Sequence, residues 1–225
     1  MPSVAIDTEL DATARAVSTL RDMLVNRRLA PGQQLRQDSL AEQLGLSRSP
    51  LREALRILES EGFLWHQPNH GYFVTRLRSA EMHQIYLMRR LLETELLTSV
   101  RRPTPDEVRT LWQENELMRS SSAAGDLNSV LRGNLRFHFG IFSLSPLDMV
   151  ARQVQRLWHL SEPYRSTYLW LPETQQRILT DHAAMISALA EGELDELVAI
   201  ADRHRSAAQR SVVAFLRSEE GDKEP

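Results

Sequence analysis

The run Leu46-Ser47-Arg48-Ser49-Pro50-Leu51-Arg52-Glu53-Ala54-Leu55-Arg56-Ile57-Leu58 sorts its side chains onto two opposite faces when wound as an α-helix. Leu51, Ala54, Leu55 and Leu58 share a narrow apolar face, and Arg48, Arg52 and Arg56 rise from the other beside Ser49 and Glu53. Such a helix buries one side and holds a fan of guanidinium groups out to a polyanion. Arginine bridges guanine O6 and N7 with two hydrogen bonds, and it also clamps phosphate. The residues in front of this helix narrow the fold further. Gln37 or Asp38 can open a short helix over 39–44 with Leu40, Ala41 and Leu44 inward. Gly45 stands where a helix ends in a left-handed residue. Ser47 is placed to cap the next helix, and Pro50 falls in its first turn, where a missing N–H is no loss. Helix, glycine-containing turn, helix is the helix-turn-helix pattern.

The flanks complete a domain. Residues 1–9 read as a disordered lead, and 10–29 as a helix whose Ala16, Leu20, Met23, Leu24 and Leu29 suggest an apolar stripe, broken by Pro31-Gly32. After Glu61-Gly62, residues 63–66 and 72–75 are short runs of strand formers. They flank the turn-rich Gln67-Pro68-Asn69-His70-Gly71. A β-hairpin after the second helix is a wing, so 10–76 is predicted to be a winged helix-turn-helix domain. From Ser79 the period is helical almost throughout. Start and stop residues place helices near 79–101, 104–120, 126–143, 146–170 (kinked or split at Pro163), 172–191 and 194–217, with a flexible tail over 219–225. The expected fold class is mostly α: a winged helix-turn-helix domain with a small β-hairpin, then an all-α bundle over 79–218.

Bulk chemistry excludes several classes. No cysteine is present, which removes disulfides and thiolate metal sites. No window approaches the ~20 apolar residues of a membrane span, and the N-terminus has no secretory pattern; the expected compartment is the cytoplasm. Net charge is −3. Residues 1–78 carry ten basic against nine acidic side chains, so any contact with nucleic acid must come from a local patch rather than from global charge.

The helix-turn-helix residues carry a resemblance. Leu35, the run Leu40-Ala41-Glu42-Gln43-Leu44-Gly45-Leu46-Ser47-Arg48-Ser49-Pro50-Leu51-Arg52-Glu53-Ala54-Leu55, then Leu58, Glu61-Gly62-Phe63 and Asn69-His70-Gly71 resemble the GntR family of bacterial transcription regulators. The helical remainder is similar to the FadR-type subfamily, whose C-terminal FCD domain binds a small effector. The matching marks are Arg89-Arg90-Leu91-Leu92-Glu93, Asn134-Leu135-Arg136-Phe137-His138, Asp181-His182, and Gly192-Glu193-Leu194-Asp195 followed by His204. The resemblance implies a homodimeric, ligand-responsive regulator that binds double-stranded DNA at a pseudo-palindrome. It implies that Ser47, Arg48, Ser49 and Arg52 contact DNA, with His70-Gly71 at a wing tip entering the minor groove. Gln37 departs from the family, where Glu is frequent.

His138, His182 and His204 lie on helix faces beside apolar or small residues, and Asn134 precedes His138 by one turn. From the residues alone they are core histidines bonded to backbone or water, since no local metal motif joins them. The resemblance implies instead that Asn134, His138, His182 and His204 converge on a divalent ion, Zn or Ni being suited to imidazole. Asn134 stands where Asp is common and offers only a neutral oxygen. That predicts either weaker metal binding or a site completed by an anionic ligand such as a small carboxylate. Arg89 is the family-matched cation for that carboxylate; an intrahelical pair with Glu93 is the plainer role. Two rival classes remain at this stage. One is a three-His metal enzyme, disfavoured by the lack of HExxH, nucleophile or phosphate-loop motifs. The other is an architectural adaptor whose bundle only dimerises.

Overall fold

A computed structural model describes residues 3–25, 28–165 and 172–221. The chain divides into two compact units, Met1–Leu77 and Arg78–Pro225.

In the first unit, α1 (Ser3–Val25), β1 (Gln34–Leu35), α2 (Gln37–Leu44), α3 (Arg48–Ser60), β2 (Leu64–Gln67) and β3 (Gly71–Val74) follow in order. The core forms because the apolar stripes of α1 and α3 face each other: Leu20, Leu24, Leu51, Ala54, Leu55 and Leu58 are sealed from solvent. An ion pair between Arg21 and Glu61, 2.5 Å, ties α1 to the end of α3. Gly45 does end α2 in the left-handed region, at φ +63°, and the turn closes with Leu46 N–H donating to the Ala41 carbonyl at 2.9 Å. Ser47 occupies the position before α3, but its side chain makes no capping hydrogen bond. The expected cap is thus a position without the bond.

The wing pairs β2 with β3, Leu64 opposite Val74 and Gln67 opposite Gly71. At its tip Asn69 takes φ +64°, which asparagine tolerates because its short polar side chain bonds locally. A third strand, β1, pairs with the other edge of β3 and gives the order β1-β3-β2. Two residues carry no alternation, so the sequence shows no sign of it. Helix α1 begins at Ser3, ahead of the expected start at residue 10; no Gly or Pro interrupts the stretch between Ser3 and Val25. Residues 1–2 of the expected lead lie outside the described residues.

The second unit contains α4 (Ser79–Thr98), α5 (Pro105–Ala123), α6 (Leu127–Phe142), α7 (Asp148–Arg165), α8 (Pro172–Glu191) and α9 (Leu194–Gly221). Local chemistry sets several starts. Thr104 accepts from Glu107 N–H while the Glu107 carboxylate accepts from Thr104 N–H at 2.7 Å, a capping box before Pro105. Asp126 accepts from Ser129 N–H at 3.1 Å. Helix α4 packs on α7 and α9, and α5 on α6 and α8. The α5–α6 approach needs Gly133: a Cβ there would come within 2.6 Å of the Met118 side chain. Around Phe137, Ile141, Trp158, Ile186 and Leu197 the bundle closes into one core. Helix α7 starts at Asp148 rather than at residue 146, and its expected reach to 170 falls outside the described residues beyond Arg165. Helix α9 continues to Gly221, past the expected end at 217; the last residues of the expected tail, 222–225, lie outside the described residues. Among the described residues no helix is long and apolar enough to cross a membrane.

Candidate functional sites

In the first unit, Ser47, Arg48, Ser49 and Arg52 all lie exposed at the start of α3. The buried Leu51, Ala54, Leu55 and Leu58 turn the helix so that this polar edge faces out. Arg56 follows on the same face, 3.8 Å from Glu53. His70 is exposed at the tip of the wing and Gly71 is half-buried beside it; the His70 carbonyl accepts from Gln34 Nε2 at 2.6 Å, so β1 helps fix the tip. One partner of α3 was not foreseen. Arg48 Nη2 lies 3.0 Å from Asp38 Oδ1 at the start of α2. Asp38 is visible in the sequence only as a helix opener; its meeting with Arg48 depends on the angle at which the Gly45 turn sets the two helices.

In the second unit the bundle brings His138 from α6, His182 from α8 and His204 from α9 together, although 44 and 22 residues separate them along the chain. All three are buried, and their ligand atoms lie within 4.8 Å of one another. His138 Nε2 and His182 Nε2 are 3.2 Å apart. The Phe137 ring stacks on His182 at 3.8 Å, and Trp158 lies 4.8 Å from His138. Burial in this apolar box is the main cause that pushes the pKa of His138 and His182 well below the ordinary imidazole value; the neighbouring His204 adds to it for both, and His182, Arg89 and Arg165 add to it for His138. Burial also lowers His204, while its contact with Asp181 pulls the other way. Unprotonated imidazole is the form that binds metal.

Two details fit an ion there. His182 Nδ1 is buried with no hydrogen-bond partner among the described residues. His204 Nδ1 meets Asp181 Oδ2 at 3.0 Å, the carboxylate contact that commonly orients a metal-binding histidine. Asp181 is thus positioned by the fold, although on α8 it adjoins His182 and points elsewhere. Asn134 is buried one turn before His138 and lines one pocket with His204, Arg89, Arg165, Arg177 and Arg205. The three histidines could hold a divalent metal.

Arg89 forms the intrahelical pair with Glu93 and also stands at the pocket: its Nε donates to Glu93 Oε1 at 2.7 Å. Trp158 Nε1 donates to the same oxygen at 2.7 Å, and Arg205 Nη1 donates to Glu93 Oε2 at 2.7 Å. Arg205 also reaches Asp202 at 2.8 Å. Burial alone would raise the Glu93 pKa; Arg89 and Arg205 outweigh it and hold the carboxyl below its usual range. The guanidinium groups of Arg89 and Arg165 both stack against the Trp158 ring, each 4.2 Å from its centroid. Arg165 and Arg205 carry no sequence signal, since a basic residue on an amphipathic helix is ordinarily read as exposed.

A winged helix-turn-helix with arginines at the start of its second helix, followed by a separate all-helical unit, is the architecture of a class of transcription regulators. The sequence matches two family models accordingly: "Bacterial regulatory proteins, gntR family" over residues 12–74, and the FCD domain over residues 84–207. The chain belongs to the GntR family of DNA-binding transcription regulators and carries an FCD effector domain. It is 29% identical over 186 residues to the Nta operon transcriptional regulator of Aminobacter aminovorans, covering 81% of this chain and 85% of that one. To the HTH-type transcriptional regulator McbR of Escherichia coli it is 27% identical over 159 residues, 70% of this chain and 72% of McbR. The solved structure of E. coli McbR/YncC shares the fold at a TM-score of 0.77, with 23% identity over 93% of this chain and 98% of that one. These relatives are regulators, not enzymes, so the alternative of a three-His metal enzyme falls away.

Proposed function

We propose that this regulator binds a pseudo-palindromic operator as a cytoplasmic homodimer, and that a small carboxylate bound beside a divalent ion in the helical domain alters its affinity for DNA. Residues 10–76 read the operator. Ser47, Arg48, Ser49 and Arg52 meet the major groove, and His70-Gly71 reach the minor groove. Residues 79–218 hold the effector and the dimer contact. His138, His182, His204 and Asn134 hold Zn or Ni; the ion supplies a Lewis-acidic anchor for a carboxylate oxygen. Asn134 adds no negative charge, so the ion keeps a need for an anion that the effector meets. Arg89 contributes a guanidinium to the same pocket.

The observation that carries this reading is the group of three buried imidazoles, one of which, His204, lines an arginine-rich pocket. One observation favours the architectural alternative: the pocket has a cavity volume of only ≈ 20 Å³, space for about one water. An effector therefore enters only as side chains at the rim move, and Arg177, a third exposed and 3.6 Å from Asp181, is placed to do so. A ligand shifts the regulator only by binding two conformations with different affinity.

The test is thermal melting of metal-stripped protein with Zn or Ni, then with a panel of small carboxylates. Each metal is expected to raise the midpoint, and a carboxylate to raise it further. Both shifts vanish in His182→Ala and His204→Ala. Wild-type protein indifferent to both metals overturns the metal assignment, and indifference to every carboxylate overturns the effector.

A further inference from the structure

The reading edge of α3 does not stop at α3. Arg48 and Asp38 form their 3.0 Å pair with both side chains open to solvent, 84% and 78% exposed. Gln37, Leu51 and Arg52 line the same open groove with them. The fold has little need of this pair, because exposed ion pairs contribute little to stability and Leu40 and Ala41 anchor α2 in the core. Asp38 suits the first turn of a helix, but that role does not require an arginine opposite.

The consequence falls on binding. An arginine approaching phosphate ordinarily gives up water and gains an anion. Arg48 must in addition give up a carboxylate, and Asp38 brings its own negative charge toward the same polyanion. Phosphate offers Asp38 no donor. A base edge does, since cytosine N4 donates to a carboxylate while guanine O6 and N7 accept from arginine. Only a duplex with suitable bases therefore satisfies both members of the pair. The pair taxes contacts that carry no sequence information, and those supply most of non-specific affinity.

From this geometry we infer that Asp38 is a specificity-determining residue, which restrains Arg48 from sequence-independent phosphate contact and so lowers affinity for wrong DNA. The inference rests on the reading of Arg48 as a DNA-contacting residue. It is tested with the full-length protein and two fluorescent duplex probes: a random-sequence pool, and the pool that wild-type protein enriches from it. Asp38→Asn raises affinity for the random pool about two- to fivefold, the scale of an exposed ion pair. Affinity for the enriched pool rises less, so the ratio between pools shrinks. Asp38→Ser repeats the measurement with a residue that also suits a helix start. An unchanged ratio in both variants overturns the inference. So does an effect of the same size in an Arg48→Ala background, because Asp38 would then act without its partner. Arg48→Ala protein that keeps the wild-type ratio overturns the reading of Arg48 itself, and the inference with it.

Discussion

Arginine does opposite work in the two units. Arg48 and Arg52 stand on the rim of α3, and Asp38, which meets Arg48, is nearly as exposed as Arg48 is. Arg89 and Arg205 sit at 5% and 4% side-chain exposure with Glu93 clamped between them. Water screens the first pair, so its charge remains available to a partner from outside. The second is desolvated, and each charge there depends on the others being present. A guanidinium whose charge is met inside the fold belongs to the frame of the pocket; one held by an exposed carboxylate can exchange it for another anion, as the proposed contact with DNA requires. The pKa of Glu93 carries the same message. Because it is depressed in the fold, its contribution to stability is complete above the ordinary carboxylate value and is lost as pH falls through the lower, folded one.

Removing the buried acid is the strongest way to break this contrast. Glu93→Ala leaves two guanidinium groups buried without their shared anion and is expected to cost about 3–5 kcal/mol, read as a large drop in the melting of the helical unit. A milder cut at the same carboxylate is Trp158→Phe, which keeps the ring against Arg89 and deletes the indole N–H bond; about 2 kcal/mol is expected from chemical denaturation. On the exposed side, Arg48→Ala and Arg52→Ala are each expected to lose about 1–3 kcal/mol of discrimination between enriched and random duplex, while stability moves by less than about 0.5 kcal/mol. Least of all, Asp38→Asn changes unfolding free energy by less than about 0.5 kcal/mol, since it breaks only a solvated pair. A stability loss there comparable with that of Glu93→Ala would erase the distinction between the two kinds of arginine.

Much of this was legible in the sequence where local rules decide. Gly45, the α3 stripe, the Thr104 capping box and the turn around Asn69 each specify their structure within a few residues, so the winged fold and the helical unit can be read directly. Features that depend on packing were not. The short strand β1 has no pattern of its own and exists because β3 offers an edge. The Arg89–Glu93 pair is visible as an i, i+4 spacing, but Arg205 and Trp158 reach the same carboxylate from α9 and α7. Likewise, the joining of His138, His182 and His204 came from family resemblance, because nothing in their spacing requires three separate helices to present imidazoles to one point. Asp181 shows the limit most sharply: adjacent to His182 in sequence, it serves His204 instead.

The central claim is that the helical domain controls what the arginines of α3 do. Its most direct test is the affinity of wild-type protein for its enriched duplex, titrated with and without Zn plus each carboxylate that raises the melting midpoint. At least one such ligand is expected to change DNA affinity by about 5- to 150-fold, the usual range of coupling between two sites, and His182→Ala should bind the duplex with no response to it. DNA affinity that stays constant at saturating metal and ligand would contradict the account.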